Sequence, residues 1–552
     1  MKPISEIARA MNLSDDDIDL YGKFKAKVSL DVLKKFAEQP NGKYVVVTSI
    51  TPTPLGEGKT TTSVGLGMAL NRVGQRAAVC LRQPSLGPTF GIKGGATGGG
   101  LARVLPVDEI NLHLTGDTHA VALAHNLLSA FIDNSLFNDN PLAIDPHAIT
   151  WTRVVDVSDR ALRKILLGLG GRDGGLPREA SFDLAASSEV MAVLALATSL
   201  RDLRERLGRI VIGTTRAGQA ITARDLQCAG AMTALLRDAL KPNLLQTTEH
   251  TPAFIHAGPF GSIAHGSNSI LADQIALKLN DYVVTETGFG SDLGMEKFFN
   301  IKCRYSGLTP NAVLLVATTR ALKMHGGVGN VIAGKPLPEE LAKENLTALE
   351  RGCANLIKHI ENALQFGIPV VVAVNRFETD TDREIALIEK IARDSGAEGA
   401  FVSDAFARGG AGAISLAEAI VHACKQPAQF KFLYANELPI KDKIERIADR
   451  IYGADGVEYA PLAEQKIKLC ADLGFEQLPI CMAKTNLSLS HDEKLKGRPR
   501  RFRIPVRDVR ISAGAGFLTP LCGDIRTMPA LPRVPAGTRV DVDDDGNITG
   551  LF

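Results

Sequence analysis

The run Thr53-Pro54-Leu55-Gly56-Glu57-Gly58-Lys59-Thr60 has the spacing G-x-x-x-x-G-K-[ST] of a phosphate-binding loop, with Thr53 in place of the first glycine. Backbone N–H groups of Gly56 to Thr60 can turn inward around phosphate oxygens, because glycine permits the close approach. Lys59 would neutralise charge on the outer phosphates, and the Thr60 hydroxyl would be offered to Mg²⁺. A dinucleotide fingerprint fits worse, since Thr61 stands where its third glycine belongs. Further on, Arg82 opens the stretch Arg82-Gln83-Pro84-Ser85-Leu86-Gly87-Pro88. A guanidinium beside a terminal phosphate can clamp a carboxylate or a transferring phosphoryl group bidentately. Residues Gly91 to Gly100 hold six glycines in ten, a density that reads as a loop bending tightly near a ligand or another backbone. Glu286 ends an apolar run, the setting of a metal-binding carboxylate, which alone is a weak signal. Asn375-Arg376-Phe377-Glu378 lacks the Lys and Asp that a guanine-reading motif needs at that spacing.

These residues need elements to position them. Lys43–Ile50 is a continuous apolar run bounded by turn residues, the pattern of a strand buried on both faces. A helix is expected from Thr60 to about Val73, stopped at Gly74, and a second strand over Arg76–Leu81 completes a βαβ unit. Buried strands are also expected at Ile210–Gly213, Tyr282–Thr285, Ala312–Ala317, Pro369–Val374 and Ala400–Val402. Helices are expected at Ser188–Leu207, Ser267–Leu279 and Leu349–Phe366. Strands alternating with helices give an α/β protein with a mostly parallel sheet covered on both faces. Arg82 then emerges on the same sheet edge as the phosphate loop. Gly329–Asn345 reads as a boundary or surface excursion, and Leu487–Arg503 as a mobile, solvated basic loop.

Composition narrows the class. The 552 residues suffice for several domain-sized units, and the 45% apolar and 22% charged shares are those of a globular chain. With 63 basic against 61 acidic residues the net charge is only +2, so a polyelectrolyte nucleic-acid binder is excluded. The eight cysteines form no C-x-x-C pair, which leaves metal and redox chemistry without a spacing and makes buried small hydrophobes of them. No apolar stretch reaches the roughly 20 residues of a membrane span, and the N-terminus lacks a signal sequence. The expectation is a reduced, soluble, cytoplasmic protein with no nucleic-acid or membrane partner.

Taken together, Thr53–Thr61 (TPLGEGKTT), Arg82–Gly100 (RQPSLGPTFGIKGGATGGG), Asp108–Asp117 (DEINLHLTGD), Trp151–Arg160 (WTRVVDVSDR), Pro259–His265 (PFGSIAH), Thr285–Arg304 (TETGFGSDLGMEKFFNIKCR), Ala373–Thr381 (AVNRFETDT), Ser512–Phe517 (SAGAGF) and the ending Gly546–Phe552 (GNITGLF) resemble the formate–tetrahydrofolate ligase family over essentially the whole chain. The resemblance implies that ATP phosphorylates formate to formyl phosphate and that N10 of tetrahydrofolate then attacks the formyl carbon. It assigns Lys59 to the γ-phosphoryl group and Arg82 to formate. It makes Phe289 a nucleotide-pocket residue, and Phe377 and Phe406 the pair that sandwiches the pterin between π-faces. It implies Mg²⁺, a monovalent cation (K⁺ or NH₄⁺) and a homotetramer. It also implies a P-loop domain binding nucleotide and formate over 1–360, an α/β domain contributing the folate site over 361–455, and a C-terminal α/β domain over 456–552.

The chain departs from the family pattern at Phe406, where a Trp is usual, and at Ala405, Leu101, His125 and Gln83. None of these touches the phosphate loop or Arg82, so an altered folate affinity or polyglutamate preference is expected with ATP and formate handling intact. His125 is expected to be a packed histidine. Two other classes share the loop. One is a carboxylate-activating ligase of the dethiobiotin-synthetase type, which lacks the RQPSLGP and PFGSIAH segments. The other is a partitioning switch ATPase, whose ATP turnover would not depend on formate.

Overall fold

Val45, Val46 and Val47 are β-branched and fully buried, and the strand they belong to has no solvent face beyond its first residue. Alternate side chains of that strand enter different apolar clusters: Tyr44 and Val46 one, Val45 and Val47 the other. A strand that needs two covered faces requires helices on both, and the computed structural model, which describes residues 1–91, 97–332, 336–523 and 525–551, has them.

In chain order the central sheet contains β1 (Ile18–Leu20), β2 (Ala26–Val28), β3 (Lys43–Ser49), β4 (Ala77–Leu81), β5 (Gly98–Gly99), β6 (Ala102–Leu105), β7 (Asn243–Thr247), β8 (Pro252–Ile255), β9 (Tyr282–Glu286), β10 (Ala312–Ala317), β11 (Val370–Asn375) and β12 (Gly399–Ser403). Its order is β1-β2-β7-β8-β4-β9-β3-β10-β11-β12, with β6 paired to β7 and β5 to β6. From β8 to β12 every neighbouring pair is parallel, and the β1, β2 and β7 flank is antiparallel. The sheet crosses residue 360 without a break, because β11 pairs with β10 in full register. One face is covered by α1 (Lys59–Arg72), whose Leu66, Ala69 and Leu70 pack with residues of a helix at Ile414–Ala423. The other is covered by α2 (Ile270–Leu279), α3 (Thr319–His325) and α4 (Leu346–Leu364). The C-terminal stretch carries a parallel pair, Val457–Tyr459 with Ile504–Val506, and a hairpin, Asp508–Ser512 with Phe517–Leu521. The eight cysteines are buried and unpaired. Among the described residues no helix is long and apolar enough to cross a membrane.

Three expectations need correction. The strand at Val211–Thr214 is not in the central sheet; it pairs with Ala220–Thr222 as an antiparallel hairpin. Its turn, Thr215 to Gln219 with Gly218 at φ 81°, sends the chain straight back where a crossover helix was expected. The helix expected over Ser188–Leu207 is two, Glu189–Leu196 and Leu200–Gly208. The Ser199 hydroxyl accepts from Asp202 N–H while the Asp202 carboxylate accepts from Thr198 N–H, which starts a new helix inside an apolar run. Leu487–Arg503 is irregular but anchored. Arg498 forks onto both oxygens of Glu361 at 2.8 and 2.7 Å, and Leu489 and Phe502 are buried. Residues 92–96 of the glycine-rich stretch lie outside the described residues.

One sheet face is locked to its covering helix by a buried charge. Lys302 Nζ lies 2.6 Å from Asp273 Oδ2 on α2, with both side chains essentially inaccessible. The same carboxylate accepts from Tyr44 on β3 and from Asn268, whose carbonyl accepts from Thr285 on β9. Removing one member leaves an uncompensated interior charge. Asp273→Ala is expected to lose about 3–5 kcal/mol in urea unfolding, and Asp273→Leu with Lys302→Met to regain most of it, because the pair's desolvation cost disappears together with its attraction.

Candidate active site

The C-terminal ends of β4, β9, β3 and β10 lie side by side in that order, so the segments that follow them meet at one edge. The phosphate loop follows β3, and Gly58 caps α1. Gly56 and Gly58 have φ of 78° and 74°, a region that costs an L residue about 1–2 kcal/mol. At Gly58 space is lacking as well: a Cβ would lie 2.2 Å from Asn375 Nδ2. Asn375, the last residue of β11, donates to the Glu57 carbonyl at 3.1 Å, and Arg320 on α3 donates to the Gly56 carbonyl at 2.9 Å. In a trans peptide the N–H opposes the C=O. Holding these carbonyls behind the loop therefore turns the N–H groups of Glu57 and Gly58 to its front. Glu57 itself is buried. One of its carboxylate oxygens accepts from Thr53 N–H at 2.6 Å and the other from the Thr318 hydroxyl at the end of β10. Pro54 is half-buried, Leu55 is exposed, and Thr60 and Thr61 lie in the first turn of α1.

Lys59 Nζ is 3.4 Å from the Ser49 hydroxyl at the end of β3. Arg82 leaves the end of β4, donates to the Pro259 carbonyl at 3.3 Å and lies flat against Gly288, where a Cβ would stand 3.2 and 3.3 Å from its terminal nitrogens. Burial lowers the Arg82 pKa and the charge of Glu286 opposes that shift, yet a guanidinium stays protonated. Glu286 ends β9 between β3 and β4. Phe289, at φ 59°, has its carbonyl on the Ser49 hydroxyl and its ring against Gly261. Phe377 lies under the Arg320 guanidinium, 4.1 Å from its ring centre. Phe406 is 60% exposed and stands over the start of α1, since a Cβ on Gly99 would touch both its ring and Thr61 Oγ1. The structure thus brings the loop, Lys59 and Arg82 to one edge, with Phe289 against Ser49 before the loop, Phe377 against Arg320 and Phe406 over the start of α1.

The family model described as formate–tetrahydrofolate ligase matches residues 1–552. The chain is 59% identical over 552 residues to the formate–tetrahydrofolate ligase of Desulforamulus reducens, covering 100% of this chain and 97% of that one. It is 56% identical over 551 residues to that of a Roseiflexus species, covering 100% and 98%, and 54% identical over 551 residues to that of Saccharopolyspora erythraea, covering 100% and 97%. The chain belongs to the formate–tetrahydrofolate ligase family.

In this family member a second layer fixes the root of the loop. Thr51 N–H donates to His359 Nε2 at 2.8 Å, so the His359 proton sits on Nδ1, 2.6 Å from Ser291 Oγ. His325 Nε2 donates to the Thr51 carbonyl at 2.8 Å while its Nδ1 accepts from Gly497 N–H at 3.1 Å. Asn355 bridges Thr51 Oγ1 and the Gly497 carbonyl. This is why the basic 487–503 segment is anchored. Thr318, Arg320, His325, Asn355 and His359 were not legible as site residues. Only Asn375 and its neighbours carried a signal, as part of a motif rejected for guanine. His125 is packed as expected: its ring stacks on Trp151 at 4.0 Å and bonds Ser188.

Burial pushes His359 down to about 3 and His325 to about 4 from 6.5, so both are neutral in the fold and each presents an acceptor nitrogen to an N–H. Their contribution to stability is complete above pH 6.5 and falls as pH drops toward 4, because the unfolded chain binds protons that the fold refuses. Each refused proton costs at most about 1.4 kcal/mol per pH unit. Urea midpoints should fall between pH 6.5 and 4, and less steeply in His359→Gln than in the parent; equal slopes would assign the acid loss elsewhere.

Proposed function

We propose that this chain ligates formate to tetrahydrofolate at the expense of ATP, giving 10-formyltetrahydrofolate, ADP and phosphate by way of formyl phosphate. The observation that carries the reading is the pairing of an inward-facing phosphate loop with Arg82 at the end of a nearby strand of the same edge. The loop N–H groups and Lys59 hold the terminal phosphates. Arg82 clamps formate so that one carboxylate oxygen attacks the γ-phosphorus and the β–γ bridging oxygen leaves with ADP. N10 of tetrahydrofolate then attacks the formyl carbon, the C–O bond to phosphate breaks, and the N10 proton leaves with the phosphate. Both steps spread negative charge that Lys59 and Arg82 already face, so no reorganisation is needed as it develops.

Phe377 and Phe406 are assigned to the pterin and Phe289 to the nucleotide. The Phe377 ring lies under Arg320, which holds the Gly56 carbonyl, and the Phe406 ring stands over the start of α1, which supports that assignment. Thr60 offers a hydroxyl to Mg²⁺ carried in with ATP, and the ion would neutralise charge on the terminal phosphates. A monovalent cation (K⁺ or NH₄⁺), a homotetramer and a cytoplasmic location belong to the same reading. So does the division by role into 1–360 for nucleotide and formate, 361–455 for folate, and 456–552 at the C-terminus.

The direct check is formation of 10-formyltetrahydrofolate from ATP, formate and tetrahydrofolate. Lys59→Ala and Arg82→Ala should each lower kcat by roughly 100-fold or more, with ATP still bound by Arg82→Ala. ATP turnover independent of formate would refute the reading. Separately, Phe406→Trp should tighten tetrahydrofolate binding in calorimetry by about 0.5–1.5 kcal/mol if the ring stacks on the pterin; an unchanged affinity would remove Phe406 from that site.

A further inference from the structure

Glu286 does not fit an edge built for anions. It is the last residue of β9, in register with Val47 of the loop-bearing strand β3, and its neighbour Thr285 is in register with Cys80 of β4, two residues before Arg82. Its side chain is 7% exposed, and Oε2 has no hydrogen-bond partner among the described residues. Arg82 is near enough to feel its charge, yet among the described residues Glu286 forms no ion pair, and the Arg82 guanidinium is turned to Pro259 and Gly288. An unpartnered carboxylate oxygen in that place would repel both the triphosphate and formate, at a cost that burial increases. Only a cation standing between carboxylate and phosphate turns that repulsion into attraction. Mg²⁺ commonly takes one or two protein carboxylates, keeps several waters and takes the rest of its oxygens from phosphate. The unpartnered oxygen therefore fits this group, and the Thr60 hydroxyl in the first turn of α1 supplies a second one.

We infer that Glu286 is the carboxylate that anchors the Mg²⁺ of bound ATP, directly or through the ion's waters, and so makes the site select the metal-bound nucleotide over the free one. This rests on the ATP site proposed above and adds to it a residue that discriminates the form of ATP. Arg82 stays free for formate because Glu286 is committed to the ion.

The test is calorimetric titration of ATP, with Mg²⁺ and with EDTA, into the parent, Glu286→Gln and Glu286→Asp, in the absence of formate and folate. The Mg²⁺-dependent gain in affinity should fall by roughly 10–100-fold in Glu286→Gln, the usual effect of removing a group that orients a metal's shell. Metal-free ATP should bind Glu286→Gln as tightly as the parent or more tightly, since a repelling charge is gone, and this also reports that the variant is folded. Glu286→Asp keeps the charge one methylene further back and should lie between. With Mn²⁺ in place of Mg²⁺, the electron paramagnetic signal of the nucleotide-bound ion should differ between parent and Glu286→Gln. An unchanged Mg²⁺ gain in Glu286→Gln would overturn the role of Glu286 alone. Equal losses with and without metal would also overturn it, in favour of a structural part. No ATP binding by the parent under either condition would overturn the ATP site itself.

Discussion

The phosphate loop faces its ligand because Glu57 holds it from behind. A buried carboxylate is an expensive group to place behind an anion site, and this one is tolerated because donors from two separate segments, the Thr53 amide and the Thr318 hydroxyl, satisfy it. That bond pair ties the start of the loop to its end, and both to the tip of β10. Asn375 and Arg320 then take the Glu57 and Gly56 carbonyls, adding the tip of β11 and the start of α3. The loop is thus a junction of three strand ends, and its curvature is a consequence of the order β3-β10-β11. The same constraint explains why Gly58 has no room for a side chain: the amide that orients the loop occupies the space a Cβ would need.

What could be read from the residues follows from how local the physics is. The loop, its strand and its helix are encoded in consecutive residues, and the apolar runs within β3, β9, β10 and β11 announce two covered faces without reference to anything distant. Arg82 was legible by the rule that ends of parallel strands share an edge. The hairpin at 211–222 was missed because a short apolar strand has no mark of the sheet it will join. Thr215 to Gln219 held that information as turn chemistry. The break at 197–199 sat in the side chains of Ser199 and Asp202, where a polar pair interrupts a run that hydrophobicity alone joins together. His325 and His359 were invisible for a different reason. A histidine on an apolar helix face looks the same whether it fills space or holds a backbone two or three hundred residues away. Arg498 looked solvated because its partner, Glu361, is 137 residues distant.

The charges divide between interior and edge. Inside, Lys302 is neutralised by Asp273 and Lys484 by Asp292, each at hydrogen-bond distance and each fully buried. Those pairs hold elements together and add little net field. At the edge Lys59 follows β3 and Arg82 follows β4, with β9 between them and both partly buried, so their field on the proposed phosphate and formate is screened less than it would be on an open surface. Neutral histidines at the root of the loop keep that field unaltered near pH 7, since neither has an ionised form accessible there.

The parts of the site differ in how freely they can change. Glu57, Asn375, Arg320 and Thr318 are tied to the loop by hydrogen bonds and Gly58 has no room for a Cβ, so altering one of the bonded residues leaves a donor or acceptor without its partner, the costly direction of the hydrogen-bond asymmetry. Phe406 is held otherwise. Its backbone carbonyl accepts from Leu101 N–H at 2.8 Å, a bond any residue can make, and its ring is mostly in solvent. Exchanging that ring alters only the flat surface it presents. A larger ring would add stacking area without disturbing the loop, and a smaller one would surrender area without unfolding anything. On the proposed assignment of Phe406 to the pterin, binding strength can be adjusted at that ring, while the loop is fixed by its own hydrogen bonds.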